Sequence, residues 1–123
     1  MKAEFSSGLL VESTFNQFSA LDRPTLVEII STFLSESQYS MTSIEGLLKN
    51  GTSRELNEHI HKFKGSCGLA GAGMMYSVLE EMNNLCRTGE IGSSERSQLK
   101  SYFSSLKDYW KKTQTAMVKL YSL

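Results

Sequence analysis

The chain has 123 residues, with 13 Lys and Arg against 13 Asp and Glu and therefore no formal net charge. That balance speaks against a general nucleic-acid binder, which carries a basic footprint, and the Lys111-Lys112 pair reads as a solvated helix face. No run of 18 apolar residues exists to span a membrane, Leu9-Leu10-Val11 is too short for the apolar part of a signal peptide, and the length fits one domain over residues 1–123.

A single proline, few β-branched runs and repeated 3-4 apolar spacing predict an all-α chain. A short first helix is expected from about Val11 to Ala20, with Val11, Phe15 and Phe18 on one face. Asp22 is placed to cap a second helix that carries Pro24 in its first turn, where a missing N–H costs little. Its apolar stripe is Leu26, Ile29/Ile30, Phe33, Met41, Ile44 and Leu48, interrupted by Ser37 and ended by Asn50-Gly51. Thr52-Ser53-Arg54-Glu55 has capping-box spacing and opens a third helix, whose stripe is Leu56, Ile60, Phe63, Cys67 and Ala70. Gly71 and Gly73 break it. A fourth helix carries Met75, Val78/Leu79, Met82 and Leu85/Cys86, with Gly89 as its expected stop. The last helix follows Gly92-Ser93-Ser94 and runs to about Tyr121, with Leu99, Tyr102/Phe103, Leu106, Trp110, Met117 and Leu120 inward. Four long helices on short, Gly-containing turns predict an antiparallel up-down four-helix bundle with a short extra N-terminal helix. Cys67 and Cys86 have no metal-ligand spacing and read as reduced core residues, which fits a cytoplasmic address.

Residues 61–73, HKFKGSCGLAGAG, set a histidine and two lysines ahead of four glycines within helical sequence, although each interior Gly costs about 1 kcal/mol relative to Ala. An α-helix turns by about 100° per residue, so with His61 as the origin the third helix's stripe centres at about 220°. His61 therefore points about 140° away from the stripe, into solvent. His59, at about 160°, falls at the stripe's edge and reads as a satisfied boundary histidine. Gly65 at about 40° and Gly68 at about −20° flank His61, and Lys64 at about −60° stands one turn along. Missing side chains on both sides of an exposed imidazole leave room for a large partner. A histidine side chain in water titrates near pH 6.5, about the point where its ring nitrogen becomes a free nucleophile. A lysine one turn away offers mobile positive charge to an arriving phosphoryl group. No acid is placed to complete a catalytic triad, although Glu58 stands within reach of the ring at i−3. The GLAGAG run follows a helix rather than a strand and lacks the spacing of a dinucleotide or P-loop motif.

His61-Lys62-Phe63-Lys64-Gly65-Ser66-Cys67, continued through Gly71-Ala72, resembles the signature of histidine-containing phosphotransfer (HPt) domains, roughly HxxKGxxxxxGA. The likeness is specific over residues 56–86 and extends to most of the chain in helix order. It implies a phosphorelay carrier in two-component signal transduction, in which His61 takes a phosphoryl group from a receiver-domain aspartyl phosphate and passes it to another receiver. By the same resemblance Lys64 would neutralise phosphate charge and Gly65 would keep the approach open. Asn83 stands where relatives often have a glutamine that hydrogen-bonds the imidazole, and is one methylene shorter. Gly68 and Leu69 would join the partner contact. The implied partners are response-regulator receiver domains that bring their own Mg²⁺. This chain would bind no cofactor, metal or nucleic acid, would make no direct membrane contact, and would not be an enzyme on its own. A cytoplasmic carrier and the C-terminal HPt module of a membrane-anchored hybrid sensor histidine kinase both fit.

Two other readings compete. A phosphorylation-silent docking or scaffold module would keep the bundle without the chemistry. A di-iron bundle is suggested by Glu58-x-x-His61, but no second Glu-x-x-His motif exists and the wheel turns both residues outward.

Overall fold

The computed structural model describes residues 2–87 and 91–123. Six helices follow one another: α1 (Ala3–Ser6), α2 (Glu12–Ser19), α3 (Arg23–Asn50), α4 (Ser53–Ala70), α5 (Gly73–Cys86) and α6 (Ser93–Leu120). Gly89, the expected stop of the fourth long helix, lies outside the described residues.

The four long helices start and stop where side-chain chemistry dictates. Asp22 caps α3, its carboxylate accepting from the Thr25 N–H at 3.1 Å, with Pro24 in the first turn. Those bonds, the Thr25 hydroxyl first and its N–H second, hold the Asp22 carboxyl below the usual range. Thr52 and Glu55 form a reciprocal capping box at the start of α4. Gly71 ends α4 in the left-handed conformation (φ 76°), and the Ala72 N–H closes back onto the Cys67 carbonyl at 2.9 Å.

α3, α4, α5 and α6 pack as a ring of successive neighbours that closes between α3 and α6. Two arginines show the last two to be antiparallel. Arg96, near the start of α6, donates to the Leu48 and Gly51 carbonyls at the end of α3, and Arg23, at the start of α3, donates to the Tyr121 and Ser122 carbonyls at the end of α6. Each guanidinium thus satisfies carbonyls that a helix end leaves without partners. The core comprises the predicted stripes, including Ile30, Ile44, Leu56, Ile60, Met75, Leu79, Leu99 and Leu106, all fully buried. Cys67 and Cys86 are free thiols within it. Burial pushes both thiols up, although the positive charge of Arg96 partly opposes this at Cys86.

The stripes needed three adjustments. Ile29 is 37% exposed while its neighbour Ile30 takes the core position. Ser37 does not interrupt the buried face but belongs to it at 1% exposed. Its hydroxyl accepts from Trp110 Nε1 at 2.8 Å and donates to the Leu34 carbonyl at 2.7 Å, a polar clasp between α3 and α6. Thr113 and Ala116 join the inward face of α6.

α3 and α6, at 28 residues each, outrun α4 and α5, at 18 and 14. The N-terminal segment packs where they do so. Phe15 and Phe18 of α2 lie against Tyr121, and Phe5 of α1 lies against Phe15. Desolvation there pushes the Tyr121 phenol up to about 12. The Val11 N–H donates to the Gly71 carbonyl at 2.9 Å. A Cβ on Gly71 would stand 2.7 Å from Thr14 Cβ, and one on Gly73 would stand 2.5 Å from the Gly8 carbonyl oxygen. The α4–α5 turn is glycine-rich because a second piece of backbone is laid directly on it. The brief helix α1 carries no periodic pattern and was absent from the sequence-based expectation.

The Thr113 hydroxyl is buried without a hydrogen-bond partner among the described residues. Replacing it with the isosteric valine removes that penalty, so Thr113→Val should raise the unfolding free energy by about 1 kcal/mol, measured by urea titration.

Candidate functional site

Five apolar residues of α4, Leu56, Ile60, Phe63, Cys67 and Ala70, are buried in the core. They fix the helix's rotation, and His61 accordingly emerges exposed on the outer surface. Its ring makes no hydrogen bond or ion pair with any described residue. His59, two residues earlier, is half-buried, and its Nδ1 lies 3.1 Å from the Glu55 carbonyl. A carbonyl only accepts, so that contact requires the proton on Nδ1. The two histidines therefore differ in kind: one is tied to its own helix, the other stands free.

The glycines around His61 divide into two roles. Gly65 is exposed, and a Cβ built there would meet nothing within 4 Å, so the space beside His61 is open. Gly68 is also exposed, but its missing side chain serves the protein itself. A Cβ there would press on the Tyr76 ring of α5 at 3.3 Å. That ring in turn sits under Lys64, whose Nζ lies 5.8 Å from its centroid. Lys64 is half-buried, and a cation–π contact of this kind contributes about 0.5–1 kcal/mol near the surface, a loose tether that an anion readily outcompetes. Tyr76 is thus part of the site, although the sequence-based reading did not single it out. The available signal was a glycine and an aromatic eight residues apart across a tight helical turn.

Asn83 is buried at 3% exposed on α5. Its amide donates to Asn57 Oδ1 at 2.6 Å, one helical turn before His61. The amide expected to orient the imidazole is directed in this structure at Asn57 instead, and the contact locks α4 to α5 directly beneath the site. The pairing joins an early residue of α4 to a late one of α5, so these helices also run antiparallel. Glu58, the other candidate neighbour of the ring, pairs with Arg54 at 3.3 Å on the open surface, where such a pair contributes little.

Leu69 lies two turns beyond His61, about 12 Å along the axis, and is 81% exposed. Beside it, between α4 and the first half of α3, runs an open groove of about 470 Å³ that includes Phe18, Ile29 and Phe33. Large apolar side chains this exposed mark a contact surface when they cluster.

Comparison with known proteins agrees with this architecture. The family model described as "Hpt domain" matches residues 28–113, which leaves α1 and α2 outside the matched region. No curated protein matches the chain. Among solved structures, the fold is similar to the histidine-containing phosphotransfer protein MtHPt2 from Medicago truncatula, with a TM-score of 0.82 at 20% identity over 98% of this chain and 82% of that one. It is also similar to the histidine-containing phosphotransfer protein ZmHP2 from maize, with a TM-score of 0.78 at 19% identity over 96% of this chain and 95% of that one.

Because Gly65 lies inside a helix with open space around it, Gly65→Ala should stabilise the free protein by about 1 kcal/mol. Gly68→Ala should gain less, because the new methyl displaces Tyr76. Thermal unfolding of the two variants side by side measures the difference.

Proposed function

The chain belongs to the Hpt domain family, whose members are phosphorelay carriers rather than kinases, and we propose that His61 is the residue on which it carries the phosphoryl group. The observation that supports this choice is the contrast on α4. His61 is exposed beside open space at Gly65, whereas His59 is half-buried and bonded to its own helix. A ring nitrogen of His61 donates its lone pair to the phosphorus of a receiver's aspartyl phosphate. The bond from phosphorus to the carboxylate oxygen breaks, and the carboxylate leaves with the electron pair. The reverse sequence delivers the group to a second receiver.

Such a transfer needs alignment and charge stabilisation more than acid–base groups. Lys64, held only loosely over Tyr76, swings to the phosphoryl oxygens. Gly65 leaves clearance for the incoming domain. The divalent cation belongs to the receiver, and this chain supplies a nucleophile, a lysine and clearance on a rigid platform. Asn83 acts through Asn57 on the placement of α4 in the resting protein; reorientation of its amide toward the phosphorylated ring would complete the role expected of it. Receiver domains of response regulators dock across His61 and Gly68, with Leu69 and the adjoining groove as the apolar part of the contact. No helix among the described residues is long and apolar enough to cross a membrane, and two free, buried thiols suit a reducing cytoplasm.

Incubation with a phosphorylated receiver should label the wild-type protein and His59→Gln but leave His61→Gln unlabelled, with helicity unchanged by circular dichroism. Lys64→Ala should slow the transfer about 10- to 100-fold, the equivalent of one charge-assisted hydrogen bond. Label retained by His61→Gln and lost by His59→Gln would overturn the assignment.

A further inference from the structure

A chain with no net charge gathers four lysines around one groove. Lys49 of α3 and Lys100, Lys107 and Lys111 of α6 surround a depression of about 470 Å³ between the two helices. Among the described residues two carboxylates share it, Glu45 and Asp108. Glu45 pairs with Lys107 at 3.4 Å. Lys49, Lys100 and Lys111 are exposed, and their ammonium groups make no hydrogen bond or ion pair with any described residue. Like charges that outnumber their counter-charges raise the energy of the free protein and create a local positive field. The floor is apolar, formed by the nearly buried Leu48 and Phe103, and the Lys107 ammonium lies 5.9 Å from the Phe103 ring centroid.

We propose that this α3–α6 groove docks an acidic segment of a protein partner. Lys100 and Lys111 are eleven positions apart, about 16 Å along a helix, which matches about five residues of extended chain. A peptide with carboxylates on both sides of one apolar residue satisfies the three free ammoniums and covers Phe103. A flat anionic bilayer does not reach a floor recessed between two helices. A nucleic acid needs a longer basic track than a net surplus of two charges.

The groove's position gives the contact its use. α3–α6 is the edge of the four-helix ring opposite α4–α5, whose helices carry His61 and are joined by the Lys64–Tyr76 and Asn57–Asn83 contacts. A partner held here leaves the exposed histidine free, and a second domain on the same partner then reaches His61 at a raised effective concentration. The docking does not depend on which histidine carries the phosphoryl group.

The test uses the full chain and a fluorescein-labelled hexapeptide, Glu-Asp-Glu-Phe-Asp-Glu, read by anisotropy and by amide chemical shifts. Binding should weaken steeply with salt, shift amides along α6 and the second half of α3, and be unchanged in His61→Gln. Lys100→Glu/Lys111→Glu should weaken it at least tenfold, and Lys100→Gln/Lys111→Gln should lose affinity in the same direction if the charge reversal unfolds the protein. Lys112→Glu, on the same helix outside the groove, should leave affinity within twofold. Equal losses from Lys112→Glu and the groove variants, shifts scattered over the surface, no binding at all, or tighter association with phosphatidylserine vesicles or single-stranded DNA than with the peptide would each overturn the proposal.

Discussion

Burial of Leu56, Ile60 and Phe63 fixes the rotation of α4 about its axis, and the direction of every functional side chain on that helix follows from it. Each such side chain contributes about 1.5–3 kcal/mol when removed from water. A turn of the helix large enough to expose all three would cost on the order of 5–9 kcal/mol, comparable with the whole stability of a domain this size. The imidazole is therefore not held outward by polar contacts of its own, since it makes no hydrogen bond or ion pair with any described residue. It is held outward by what lies on the far side of the helix. That separation lets the ring remain free to react while its origin stays fixed.

The glycines follow from the same geometry once each is asked what its side chain would strike. At Gly65 the answer is nothing among the described residues, so the cost of a helical glycine there has no compensation among them. At Gly68 it is Tyr76, and at Gly71 and Gly73 it is the N-terminal segment. One short stretch thus leaves open space beside His61, seats a lysine and moors the N-terminal segment. The first two roles are the ones that the proposed transfer draws on; the third is structural. Because α2 rests on the turn that ends α4, the family match beginning at residue 28 leaves out a segment that closes this end of the bundle.

Features that depend on a 3.6-residue period or on a local cap were legible in the sequence: the four long helices, the capping box at Thr52, the outward aspect of His61 and the half-buried edge position of His59. Features that depend on a distant partner were not. Ser37 looked like a break in a stripe because its partner, Trp110, lies 73 positions away. Asn83 was expected to face the imidazole, but the amide it meets, Asn57, belongs to a helix face whose neighbours no single window reveals. Tyr76 escaped notice for the same reason. The choice between Ile29 and Ile30 turned on a single residue step of about 100°, finer than the breadth of an apolar stripe. Charge was hidden more thoroughly, since a total of zero carries no information on where lysines from α3 and α6 converge.

The amide pair beneath the site is a further consequence of this arrangement. Two apolar residues at positions 57 and 83 would satisfy the core without the need to align polar atoms, and the seam between α4 and α5 could then slide toward whichever packing was densest. The Asn57–Asn83 hydrogen bond is directional and short at 2.6 Å. A slip of either helix by one residue would leave the buried Asn83 amide unpartnered, at a cost of about 1–3 kcal/mol. Register along the seam is thereby specified at the level of His61, where α5 also supplies Tyr76 and so the resting place of Lys64. His61 and Lys64 both project from α4, whose height relative to the Tyr76 ring on α5 is fixed by that bond. A carrier that must present the same phosphoryl group to successive partners needs this combination: free side chains on helices that do not slide.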